Sequence, residues 1–221
     1  MRHFSKTIIG SLPSRERANF INTISGYKSA NLIGTQSKKG TSNLAVFNSV
    51  VHLGSNPALL AFVLRPLTVE RHTYNNIKET SSYTINAITE EIYKAAHATS
   101  AKYESEQSEF AETGLTESYK DHFTAPYVLQ SPIQIGCTYV NEYEIKENGC
   151  VFMVGAIEHI YIDQSILLQD HWCKLDEANL ISIVGLDGYA KPQIVDRLSY
   201  AKPHKTPKSI LDATQKGKSS H

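Results

Sequence analysis

Apolar and polar residues alternate along much of the chain, and the alternating stretches are rich in β-branched and aromatic side chains. Residues 30–36, 44–52, 58–64 and 82–88 each read as a strand bounded by Gly, Ser, Asn or Pro. The second half adds 133–144, 151–163 and 180–184. In the first of these, Ile133, Ile135, Cys137 and Tyr139 alternate with more polar neighbours. The 151–163 stretch is longer and more apolar, as expected of a central strand. Helical patterning is scarcer. Thr68 can open a short helix running to Lys78, and Thr73 can equally start its last turns. Residues 89–98 place Ile92, Ala95 and Ala96 on one face, with Glu90 and Glu91 in the first turn, where the helix dipole favours acids. Residues 105–112 predict a short acidic helix anchored by Phe110. Many evenly spaced strands with short helices between them suggest a closed or nearly closed β-barrel with helical insertions, in one domain.

At 221 residues the chain can bury a substantial single core without a disulfide or metal staple. Its 41% hydrophobic and 20% charged residues fit a globular protein. Lys plus Arg equals Asp plus Glu at 22 each, which removes the basic footprint of a general nucleic-acid binder. The balance is local, however. Residues 202–221 carry five lysines and one acid, so residues 204–221 are expected to form a Lys-rich, mobile tail beyond a single domain at 1–203. No apolar run approaches the roughly 18 residues of a membrane span. The N-terminus offers only Ile8 and Ile9 as a run, too short for a signal-peptide core. The expected location is the cytoplasm, with neither membrane nor nucleic acid as a partner.

The common chemical motifs are missing. There is no G-x-G-x-x-G, H-E-x-x-H or G-x-S-x-G. Gly34 to Thr41 resembles a P-loop only superficially: its glycine spacing is one residue too long and no Lys follows Gly40. A hairpin turn around Lys38-Lys39-Gly40 accounts for it better. Cys137, Cys150 and Cys173 lack C-x-x-C spacing, and the nine histidines show no ligand spacing, so no metal site is expected. Each cysteine sits in strand-like or loop sequence, without a helix start to lower its pKa.

The informative stretch runs from Gly34 to Asn86. It contains Asn43-Leu44-Ala45-Val46-Phe47-Asn48, then Asn56-Pro57, then Ala61-Phe62-Val63-Leu64-Arg65-Pro66, then Thr73-Tyr74-Asn75-Asn76-Ile77 and Ile85-Asn86. Further on come His97-Ala98-Thr99-Ser100, Ser108-Glu109-Phe110, Gly114-Leu115-Thr116, Ala125-Pro126-Tyr127-Val128, Ser131-Pro132 and Val184-Gly185-Leu186-Asp187-Gly188-Tyr189. In order and spacing, across roughly residues 18–203, this resembles the flavin reductase-like family of FMN-binding split barrels. The chain departs from that pattern at Val46, where the family often has Pro, at Asn48, where it has Ser, and at Ala58, where it has a second Pro. It also lacks the aromatic the family commonly places at Ser49 or Val50. The resemblance implies a mainly β fold: an antiparallel, Greek-key-like split β-barrel with short helical insertions.

A flavin needs donors along its ring edge, an apolar wall against its face and a donor-rich pocket for its phosphate. Residues 44–49 can supply backbone groups and Asn48 to the ring edge, with Leu44, Ala45 and Ser49 as small or apolar neighbours and Phe47 as a wall. Arg65 follows an apolar strand and can meet a phosphate with paired donors. Thr73 and Asn76 lie near a helix start, a natural anion site, and Asn43 approaches from the strand. Lys94 and His97 on the next helix are further candidates. Each has a plainer reading: Arg65 as a surface ion-pair residue, Thr73 as a helix cap, Phe47 as core, Asn43 and Asn48 as hairpin residues, Lys94 and His97 as a solvated helix face.

What the resemblance implies is FMN binding and electron transfer from NADH or NADPH to flavin, with no side chain needed as acid or base. It also implies a homodimer with FMN at the interface and a downstream electron acceptor. Two other readings stand beside it: an FMN-binding electron carrier reduced by a protein partner, and a split barrel that has lost flavin and serves as an interaction module.

Overall fold

A computed structural model describes residues 1–211. Two helices lead, α1 (Lys6–Ser11) and α2 (Ser14–Ile24), followed by β1 (Tyr27–Ser29), β2 (Asn31–Gln36), β3 (Ser42–Phe47), β4 (Val51–Ser55) and β5 (Ala58–Leu64). Then come α3 (His72–Thr80), β6 (Ser82–Ala87), α4 (Tyr93–Ala98), α5 (Glu109–Thr113), β7 (Glu117–Ser118) and β8 (Tyr127–Val128). β9 (Ile133–Ile145), β10 (Cys150–Ile162), β11 (Ser182–Val184) and β12 (Gly188–Ala190) complete the described strands.

Seven strands form the main sheet in the order β3-β2-β6-β9-β10-β5-β4, every pair antiparallel. A small sheet, β1-β11-β12, and the β7-β8 pair sit beside it. The expected mainly β, antiparallel barrel is therefore what forms. The β2–β3 hairpin turns where the pseudo-P-loop lies, with Gly40 in the left-handed region at φ 89°.

Several boundaries move for local reasons. The strand expected over 44–52 is two, because Ser49 turns the chain and its hydroxyl bonds both the N–H and C=O of Val63 at 3.1 Å. The helix expected from Thr68 starts at His72, with Arg71 extended at its cap position. The helix over 89–98 keeps only its last six residues, since Thr89 bridges to Leu180. The acidic helix shifts to 109–113, and Phe110 does anchor it, 2% exposed. The sequence reading omitted α1 and α2, which bury no residue.

Two residues of the Lys-rich tail bond back to the chain ahead of it: Ile210 N–H donates to Arg197 O at 2.7 Å, and Lys208 O accepts from Ser199 N–H at 2.8 Å. Residues 212–221 lie outside the described residues.

Two apolar clusters flank β2 and β3. One holds Leu32, Leu44, Ile88, Ala96, Phe110, Leu115 and Val128 under α4 and α5. The other fills the barrel with Ile33, Phe62, Ile77, Tyr83, Ile85, Cys137 and Met153. Leu32 and Ile33 are adjacent yet belong to different clusters, as the period of two requires of a strand buried on both faces. Two glycines allow close packing. A Cβ on Gly34 would lie 2.3 Å from Pro126 O, and one on Gly155 would lie 2.0 Å from the Tyr83 hydroxyl.

Candidate functional site

β3 organises the site. Along it Ser42, Leu44 and Val46 face α4 and α5, while Asn43, Ala45 and Phe47 face the barrel and α3. On the α3 side, Asn43, Thr73 and Asn76 meet Thr35 of β2, all four buried. The Asn43 amide donates to Thr35 Oγ1 at 3.1 Å and to Thr73 Oγ1 at 3.2 Å, and the Asn76 amide donates to Thr35 Oγ1 at 3.1 Å. Thr73 is the second residue of α3, not its cap. Its oxygen already accepts from Asn43, so its hydrogen is left to donate. The first-turn amides of a nine-residue helix are likewise without helical partners.

Arg71 stands at the entrance to this helix. Its Nε is buried and bonds to nothing among the described residues. The Thr73 hydroxyl hydrogen, the first-turn amides and the Arg71 guanidinium nitrogen are thus unspent donors at the start of α3. Such a set suits an anion carrying several oxygens. Arg71 was absent from the sequence candidates. A helix start at Thr68 would place it inside the helix, and a start at Thr73 would leave it ahead.

The remaining candidates divide. Arg65 directly follows β5, exposed, with no hydrogen bond or ion pair to the described residues. Phe47 is half-buried and packs edge-on against Phe62, ring centres 5.1 Å apart, so it closes one end of the barrel core. Asn48 donates to Gly185 O at 3.3 Å, which ties the end of β3 to the β11–β12 turn. Ser49 is spent on Val63. Lys94 and His97 are exposed on α4, which packs against the opposite face of β3 from Thr73. The His97 ring pairs with the Tyr189 hydroxyl at 2.9 Å, and neither residue joins the Thr35–Asn43–Thr73–Asn76 cluster.

The α5 side holds a buried acid, Glu109, which the sequence places in a short acidic helix and in the Ser108-Glu109-Phe110 segment but not among the site candidates. The Leu44 N–H donates to its Oε2 at 2.8 Å. Burial raises the carboxyl above its ordinary range, and the Leu44 amide and the charge of His72 oppose that rise. Beside it Ser42 Oγ donates to Glu117 Oε1 at 2.5 Å. Burial pushes the Cys137 thiol up to about 12, so it is no nucleophile near neutrality.

Residues 25–174 match the model of the flavin reductase like domain family. A protein of Shewanella frigidimarina, assigned as a flavin reductase with split barrel domain, is 43% identical; the match covers 91% of this chain and all of that one, with a TM-score of 0.88. Flavoredoxin of Desulfovibrio vulgaris is 22% identical over 80% of this chain and 91% of its own, TM-score 0.67. An FMN-binding protein of Thermus thermophilus is 12% identical over 87% and 97%, TM-score 0.70. At those identities the last two attest a shared fold alone.

Proposed function

The chain belongs to the flavin reductase like domain family, and from that premise we propose that it binds FMN and passes electrons to it from NADH or NADPH. The observation that carries the choice of FMN is the set of unspent donors at the start of α3. Arg71 Nε is buried without a partner among the described residues, two positions ahead of Thr73 and its free hydroxyl hydrogen, and a single phosphate group would complete both. Nothing there provides for a second phosphate through a G-x-G-x-x-G loop, so FAD is the poorer fit.

In this reading Arg71, Thr73 and the first-turn amides of α3 hold the phosphate, and Asn43, Thr35 and Asn76 hold Thr73 in place. Arg65, exposed at the rim, adds long-range attraction. Ala45 and Phe47 present the apolar side of β3 to the ring, and Asn48 fixes where that strand ends. The flavin, when bound, supplies the hydride and electron chemistry. No side chain need then exchange a proton with substrate, so the protein's part is to orient its ligands and keep water from them.

A homodimer completes the proposal. Val51 and Leu53 on the outer strand β4, with Val140, Tyr143 and Ile160, leave large apolar side chains exposed that a second copy would cover. No described helix is long and apolar enough to cross a membrane, and a cytoplasmic location is part of the same proposal. Purified protein titrated with FMN, FAD and riboflavin tests the binding, read at the flavin band at about 450 nm. NADH and NADPH oxidation by the loaded protein tests the reaction. FMN uptake without nicotinamide oxidation would favour an electron carrier reduced by a protein partner.

A further inference from the structure

β3 is an outermost strand of the seven-stranded sheet, so half its backbone groups face no neighbouring strand. The outward-facing half can be identified. Leu44 lies opposite Gly34, and its N–H points away from β2, because Glu109 receives it. Alternation along an antiparallel ladder then sends the N–H and C=O of Val46 the same way. No side chain or loop among the described residues bonds to either group. On the open edge of β3 the Leu44 donor is thus filled, while the Leu44 C=O and, after it, both the donor and the acceptor of Val46 have no partner among the described residues.

The filled position is built at some cost. Glu109 is 6% exposed, and a carboxylate loses much hydration at such a place. An apolar side chain would cover the edge with no such loss but would leave the Leu44 N–H without an acceptor. The segment grips β3 at a second point, since Ser42 Oγ meets Ser108 Oγ at 2.6 Å and Glu117 Oε1 at 2.5 Å. Phe110, next to Glu109, is driven into the cluster that contains Leu44. The carboxylate therefore arrives on a segment anchored on both sides of it.

We propose that Glu109 is a positioning residue of the flavin site: its carboxylate pins the Leu44 amide and so fixes where the open edge of β3 presents the Val46 backbone pair to the flavin ring. The proposal rests on the reading that flavin lies along β3. A flavin ring offers an alternating row of acceptor, donor and acceptor on its imide edge, and a strand edge with one free N–H and one free C=O is complementary to part of that row. Glu109 touches neither the ring nor the phosphate in this arrangement. It acts through the strand, and what it needs to be is an acceptor, not a charge.

The test uses the full-length protein with Glu109→Met, which keeps the site covered but removes the acceptor, and Glu109→Gln, which restores an acceptor without charge. Circular dichroism checks that both fold. In flavin-free protein, amide exchange at Leu44 is expected to quicken at least about tenfold in the Met variant and to stay near wild type in the Gln variant. FMN and riboflavin are both expected to bind about tenfold more weakly to the Met variant, about equally, and within about twofold of wild type to the Gln variant. Unchanged Leu44 exchange in the Met variant overturns the proposal. So does quickened exchange with unaltered binding of both flavins, or a loss confined to FMN, which would move the effect to the phosphate. Wild-type protein that takes up neither flavin overturns the reading of the site itself. The exchange result distinguishes that failure from the absence of the pin.

Discussion

The two faces of β3 are built from similar polar residues and reach opposite results. On the α3 face, Thr35, Asn43, Thr73 and Asn76 are neutral, and the two amides donate to the two threonine hydroxyls. Donors are left over there: a hydroxyl, helix-start amides and the buried Nε of Arg71. On the α5 face, Glu109 and Glu117 bring acceptors to a strand that has spare donors, and both find them, at Leu44 and Ser42. One face is an incomplete set of donors awaiting an anion. The other is a finished joint that holds the strand still. A ligand site needs both, because donors are useful only on a strand that does not move.

The finished face is the easier one to break. Gly34 lies opposite Leu44 in the ladder, and a Cβ there would meet Pro126 O at 2.3 Å and Thr84 Oγ1 at 2.6 Å. The nearer atom is backbone, and the Thr84 hydroxyl is itself bonded to Pro126 O at 2.6 Å, so neither can withdraw cheaply. Gly34→Ala is expected to destabilise the protein by at least the upper part of the about 1–3 kcal/mol typical of overpacking. A denaturant melt with an unchanged midpoint would show that the joint yields.

The unfinished face is expected to tolerate change in stability and to lose affinity. Arg71→Ala removes a guanidinium that bonds to nothing among the described residues, so the melt should barely move. FMN should bind about tenfold to hundredfold more weakly, the worth of charge-assisted hydrogen bonds of about 1.5–3 kcal/mol. Riboflavin should bind as to wild type. Arg65→Ala is expected to cost FMN less than Arg71→Ala, since Arg65 is exposed and screened by solvent. Titration of both variants with both flavins checks the order, and a larger loss at Arg65 would relocate the phosphate to the rim.

How much of this the sequence disclosed depends on where each contact lies along the chain. Asn43, Thr73 and Asn76 were legible because they sit in runs whose order resembles a known family. Thr35 was not, since its role depends on hairpin register, which pairs it with Asn43 across the turn. A helix start at Thr68 hides Arg71 inside the helix, whereas α3 begins at His72 and leaves Arg71 extended, a tertiary outcome. Pro13 directly ahead of Ser14 caps the start of α2, a helix that buries no residue. Glu109 carried one hint, its place beside the expected anchor Phe110. A carboxylate adjacent to a buried anchor on a five-residue helix has little room to reach water.

The smallest expected effect is on stability, and it separates the pin's two attributes, acceptor and charge. Burial raises the Glu109 carboxyl above its ordinary value of 4.5. A folded-state value above the unfolded one means that the native protein holds this proton more readily than the unfolded chain does. The contribution to stability is therefore fullest below the unfolded value and is lost as pH rises through the native one. Glu109→Gln removes that loss while keeping an acceptor for the Leu44 amide. The variant should thus gain on wild type in thermal midpoint as pH is raised from about 4 to 7. His72 faces the carboxylate from the start of α3 and opposes its shift, while Glu117 acts two residues away on Ser42. The same scan in a His72→Gln background is expected to widen the gap, because the carboxylate then lacks its opposing charge. Parallel midpoints of the Gln variant and wild type across the range would mean that the buried carboxylate costs the fold nothing, and that the α5 face, too, is less complete than its hydrogen bonds suggest.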